Sequence, residues 1–130
     1  KGHSEKIIGD HIGQSPARRA RTVIATKFLG NMYPGDPNGG GAHRKSIMAA
    51  CENSLRRLQT DYIDLYWMHF LDPHTPIDET LRALDDLVAA GKIRYFGFSD
   101  TPAWLCAQAQ TLLSERDRAP LIALQIEYSL

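Results

Sequence analysis

The stretch Ile63-Asp64-Leu65-Tyr66-Trp67-Met68-His69 decides the fold. It is apolar and aromatic, too short for a core helix, and stops at a histidine, so it reads as a strand. Upstream, Val23-Ile24-Ala25-Thr26-Lys27 is a similar run that stops at a lysine. Downstream, Ile93-Arg94-Tyr95-Phe96-Gly97-Phe98-Ser99-Asp100 reads as a third strand with its loop, and Leu121 to about Tyr128 as a fourth.

Helical patterns separate these runs. Ser4 reads as the N-cap of a first helix with Ile7, Ile8, His11 and Ile12 on one face, and Gly13 and Pro16 mark its end. Arg44 to Leu58 brings Ile47, Met48, Cys51, Leu55 and Leu58 onto one stripe. A third helix opens over Thr75 to Glu79, carries Leu81, Leu84, Leu87 and Val88, and is closed by Gly91. Pro102 sits in the first turn of a fourth, which runs to about Leu113. Pro34-Gly35-Asp36-Pro37-Asn38-Gly39-Gly40-Gly41 allows no regular structure, so residues 28–42 read as a long mobile loop.

Four successive helix-then-strand units predict the α/β class, a parallel sheet and right-handed crossovers. The expected architecture is a partial (β/α)8 TIM barrel, with residues 1–130 as a single domain of about four consecutive units. The 130 residues suffice for a real core but fall short of the roughly 250 of a complete barrel.

Fifteen basic residues against fifteen acidic ones argue against a nucleic-acid arm or a polybasic membrane patch. No apolar stretch approaches the roughly 20 residues of a membrane span, and Lys1-Gly2-His3-Ser4-Glu5 lacks the apolar core of a secretory signal. Cys51 and Cys106 form no CxxC pair and read as buried, reduced thiols, so a cytoplasmic location is expected.

Alternation along a strand sends every second side chain to one face. Counting back from the polar ends, Lys27 shares a face with Ala25 and Val23, His69 with Trp67, Leu65 and Ile63, and Ser99 with Gly97, Tyr95 and Ile93; Gln125 shares it with Ala123 and Leu121. Lys27, His69, Ser99 and Gln125 would then cap four adjacent strands around one axis, at the edge where barrels of this kind build their chemistry. A lysine and a histidine converging there suggest carbonyl chemistry. Each residue alone has a plainer reading, as solvated lysine, surface histidine, loop serine or strand glutamine.

Other constellations carry less. Gly39-Gly40-Gly41 lacks the spacing of a phosphate cradle, and no serine sits in a GxSxG elbow. His43, His69, Asp72 and His74 have no recognised ligand spacing, so no metal is expected. Trp67 and Trp104 read as packing residues.

The chain resembles the aldo-keto reductases, particularly the bacterial branch related to potassium-channel β subunits. The residues that carry the likeness run in order through Gly2-His3-Ser4-Glu5, Ala25-Thr26-Lys27, Asn38-Gly39-Gly40-Gly41 with Arg44-Lys45, and Ser54-Leu55-Arg56-Arg57-Leu58. They continue with Asp61-Tyr62-Ile63-Asp64-Leu65-Tyr66, His69 with Asp72-Pro73, Glu79-Thr80-Leu81, Gly91-Lys92-Ile93-Arg94-Tyr95, Gly97-Phe98-Ser99 and Gln125-Ile126-Glu127-Tyr128-Ser129-Leu130.

The resemblance implies an eight-fold barrel that binds NADPH without a Rossmann motif and transfers hydride to a small aldehyde or ketone, with a tyrosine as proton donor. Lys27 matches the lysine that lowers the tyrosine's pKa, and His69 the histidine that orients the substrate carbonyl. Ser99, Asp100 and Gln125 match the positions that hold the nicotinamide carboxamide. Position 100 is usually Asn in the family, and an ionised aspartate accepts hydrogen bonds without donating them.

The family's catalytic tyrosine and lysine-pairing aspartate match segments before the first helix of this chain, and two further strand–helix units match nothing here. The resemblance therefore implies the middle of a barrel, from its second helix to its sixth strand. Tyr66 has the wrong parity to replace the tyrosine, and nothing in the sequence holds Tyr33 at the mouth. Two readings follow: a piece of an NADPH-dependent carbonyl reductase, or a catalytically inactive slice of barrel that self-associates into a homo-oligomer through exposed strand edges.

Overall fold

The computed structural model describes residues 1–129. Its elements follow in the order α1 (His3–Ile8), a π-turn over Gly9–Gly13, α2 (Pro16–Arg19), β1 (Ala25–Phe28), α3 (Arg44–Leu58) and β2 (Ile63–Met68). Then come α4 (Ile77–Ala89), β3 (Ile93–Ser99), α5 (Ala103–Glu115) and β4 (Leu121–Gln125). The strands form one sheet in the order β1-β2-β3-β4, parallel throughout, with a helix on each crossover. This is the expected α/β slice of barrel.

The core lies between the helices and one face of the sheet. Phe28, Tyr66, Met68, Phe96 and Phe98 alternate inward against Ile47, Cys51, Leu81, Leu84 and Leu113 of the helices. Their burial is the main favourable term for the fold. The opposite face is half open, with Tyr95 56 % exposed and Leu65 and Trp67 partly so. Ile63 and Ile93, expected on that open face, are fully buried members of the core where β2 and β3 begin.

Register puts Lys27, Trp67, Gly97 and Ala123 in one row across the sheet. The Trp67 ring lies over Gly97 so closely that a Cβ there would stand 2.6 Å from it, and 2.7 Å from the Ala123 carbonyl oxygen. Glycine is therefore the residue that lets the indole lie across the open face.

Several element ends differ from the sequence expectation: β1 runs from Ala25 to Phe28, not 23–27, and leaves Val23 exposed before it. The first helix is capped by Gly2, not Ser4, because Gly2 takes the left-handed conformation (φ 78°) and leaves room for the Arg57 side chain. The last strand stops at Gln125, because past Ser99, its partner there, β3 offers no further residue to pair. Behind β1, Arg19 is buried and donates to Thr60 Oγ1, Thr22 O and Tyr62 O, pairs with Asp64 at 2.7 Å and stacks on the Tyr62 ring. Asp64 also accepts from the Ile24 N–H, so this clamp fixes α2 against the start of β1 and β2. No helix among the described residues is long and apolar enough to cross a membrane.

Candidate active site

All four strands end on one rim, and the rim is polar. Lys27, within β1, points onto the open face, and its Nζ donates to Ser99 Oγ at 3.5 Å, crossing β2 to reach β3. Ser99 closes β3 and is 1 % exposed. His69 follows the last residue of β2; its ring is exposed and tilted against Phe70. Lys27 and His69 line the same cavity, of about 760 Å3, along the unpaired edge of β1.

Gln125 closes β4 in register with Ser99, and its carbonyl accepts from the Asp100 N–H at 2.9 Å. Asp100 takes a left-handed conformation (φ 43°), which aspartate tolerates better than most residues, and its side chain is exposed. The five residues singled out from the sequence thus fall into two groups. Lys27 and His69 share the cavity, Ser99, Asp100 and Gln125 share the ends of β3 and β4, and Lys27 joins the groups through Ser99.

Tyr33 also lines the cavity, half exposed on the loop between β1 and α3, where its N–H is held by Asn31 Oδ1. That loop is irregular, as expected, and is tied by bonds from Met32 N–H to Gly39 O and from Gly41 N–H to Leu29 O. Tyr66 lies on the helix side of the sheet, as its parity requires, and is fully buried.

Two features of the site escaped the sequence. Glu5 accepts from Thr26 Oγ1 at 2.6 Å and from Arg57 Nε at 2.5 Å, forming a polar cavity wall from residues up to 52 positions apart. Asp72 accepts from the Ala42 N–H, the His74 N–H and the Thr75 hydroxyl. Burial pushes its carboxyl up, but those three bonds and the nearby His74 outweigh it and hold the carboxyl below its usual range. The local pattern Asp72-Pro73-His74-Thr75 was a readable turn signal; its long-range partner was not. His43, the other loop residue weighed as a metal ligand, caps α3 by accepting from the Ser46 N–H.

Comparison with known proteins shows the kinship of this chain. The model of the Aldo/keto reductase family matches residues 1–130. This chain belongs to the aldo/keto reductase family.

Among curated aldo/keto reductase relatives, an aryl-alcohol dehydrogenase of Pestalotiopsis microspora is 36 % identical, across 98 % of this chain and 34 % of that protein. A norsolorinic acid reductase of Aspergillus flavus is also 36 % identical, with the same coverage. An uncharacterized oxidoreductase of Bacillus subtilis, YrpG, is 39 % identical, across 99 % of this chain and 40 % of its own. The chain spans about a third to two fifths of the length of these relatives.

Proposed function

We propose that this rim is part of the active site of an NADPH-dependent carbonyl reductase, acting on a small aldehyde or ketone. The observation that carries the reading is the Lys27 ammonium lying across the strand ends against Ser99, in a cavity shared with His69. The relatives named as a reductase and an alcohol dehydrogenase support it, since both names are those of oxidoreductases.

The donor set at β3 and β4 fits a carboxamide. A carboxamide presents one acceptor oxygen and two N–H donors; the Gln125 side chain offers both complements, Ser99 a hydroxyl and Asp100 an acceptor. These three residues would hold the nicotinamide, which when bound supplies the hydride. Lys27 sets a fixed positive charge where negative charge develops on oxygen as a carbonyl is reduced, and His69 donates a hydrogen bond to that oxygen and orients it.

The test is titration of the chain with NADPH, read by cofactor fluorescence. Saturable quenching or a blue shift is expected, weakened about tenfold or more by Gln125→Ala, which removes the side chain that complements both ends of the carboxamide. No change at millimolar cofactor would refute the reading for this chain.

A second reading rests on a different observation: β1 and β4 each have one edge without a strand partner among the described residues, and the open face carries exposed apolar side chains. In this reading the chain self-associates through those edges and has no turnover.

A further inference from the structure

We propose that Asp72 is a positioning residue for His69, strapping the loop after β2 that carries it to the root of the loop after β1. The inference rests on reading that rim as the reacting end, but the strap itself is visible in the bonding.

The path between the two strand ends is short. Two residues past Lys27, the Leu29 carbonyl accepts from the Gly41 N–H at 2.9 Å, so the β1–α3 loop returns to its own start. The next residue, Ala42, is 1 % exposed and is gripped at both backbone groups from the other side. Its N–H donates to Asp72 Oδ2 at 2.8 Å, and its carbonyl accepts from Thr80 Oγ1 at 2.9 Å. Asp72 lies three residues beyond His69. Its second oxygen accepts from the His74 N–H at 2.9 Å, and Thr75 Oγ1 adds a bond of 2.8 Å to Oδ2.

One carboxylate therefore shapes the turn three residues past His69 and holds the root of the loop that leaves Lys27. Pro73 and Pro76 stiffen the same turn. Gly41 sits at the same junction because its φ of 93° suits glycine, and a Cβ there would crowd His43 Cδ2 at 3.3 Å. Charge strengthens the arrangement, because hydrogen bonds to an ionised carboxylate exceed those to a neutral acceptor. Asparagine cannot substitute: its amide offers one acceptor oxygen, and its NH2 would face another donor at one of the two positions.

The experiment is NMR of the full chain without cofactor, comparing wild type with Asp72→Asn and Thr75→Val. In Asp72→Asn, the Ala42 and His74 amide protons should exchange about tenfold faster. The His69 ring signals and the Leu29 and Gly41 amide signals should move together, while the Tyr66 and Phe96 amides of the β2–β3 ladder keep their protection. Thr75→Val removes one bond of the three and should shift the same His69 and Gly41 signals in the same direction by less. It also decides the matter if Asp72→Asn fails to fold.

Faster exchange at His74 with unmoved His69 ring, Leu29 and Gly41 signals would overturn the proposal, leaving Asp72 as the cap of its own turn. No cofactor enters the experiment, so its failure leaves the NADPH reading standing. A failed NADPH titration likewise leaves the strap standing.

Discussion

Tyr66 carries the single buried side-chain polar atom without a hydrogen-bond partner among the described residues, its phenol oxygen. Burial first, then the nearby Cys51 and Glu5, push its hydroxyl well above the ordinary range, so it is neutral at any physiological pH. Burial likewise pushes the Cys51 thiol up to about 11, with Lys92 partly opposing. An orphaned buried hydroxyl costs the fold its desolvation, and phenylalanine has the same shape without it. Tyr66→Phe is therefore expected to leave stability unchanged or raise it by about 1 kcal/mol, measured by urea unfolding. A loss of that size would mean that the hydroxyl has a partner after all, such as an enclosed water.

At the scale of elements, the sheet depends on one close approach. Gly97 lets β3 pass under the Trp67 ring while it pairs with β4, and the same row holds Lys27. An added methyl meets the indole on one side and a backbone oxygen on the other, and the backbone oxygen cannot swing away. Gly97→Ala should cost about 1–3 kcal/mol by overpacking and should alter the Trp67 fluorescence spectrum. Unchanged stability with unchanged fluorescence would show that the indole does not lie against Gly97. The irregularity in β3–β4 pairing at Phe96 and Gly97 falls at the same place.

For the whole molecule, the consequence of a half-open sheet is surface. Ile122 and Leu124 of β4 are each about half exposed, and Ile126 and Tyr128 beyond it more so, on a strand with a free edge. Together with Tyr95 and the free edge of β1, they leave two unpaired borders on one sheet. If the self-associating reading holds, light scattering should give a mass twice that of one chain at high concentration, and Leu124→Lys should return it to one. A folded wild-type monomer at that concentration would exclude this reading.

Local physics made much of this readable from the residues. Helix and strand periods depend on near neighbours, so α3 runs from Arg44 to Leu58 as the pattern required, and Tyr66 and Trp67 fall on opposite sides of the sheet because alternation is backbone geometry. The polar rim followed from parity alone, with Lys27, His69, Ser99 and Gln125 each near a strand end. What only the tertiary structure decided are pairings without a local cause. Lys27 meets Ser99 across 72 residues, Asp72 takes the Ala42 N–H across 30, and Glu5 joins Arg57 across 52. Such contacts depend on how whole elements pack, and a residue's type states what it can bond to, while packing selects which partner arrives.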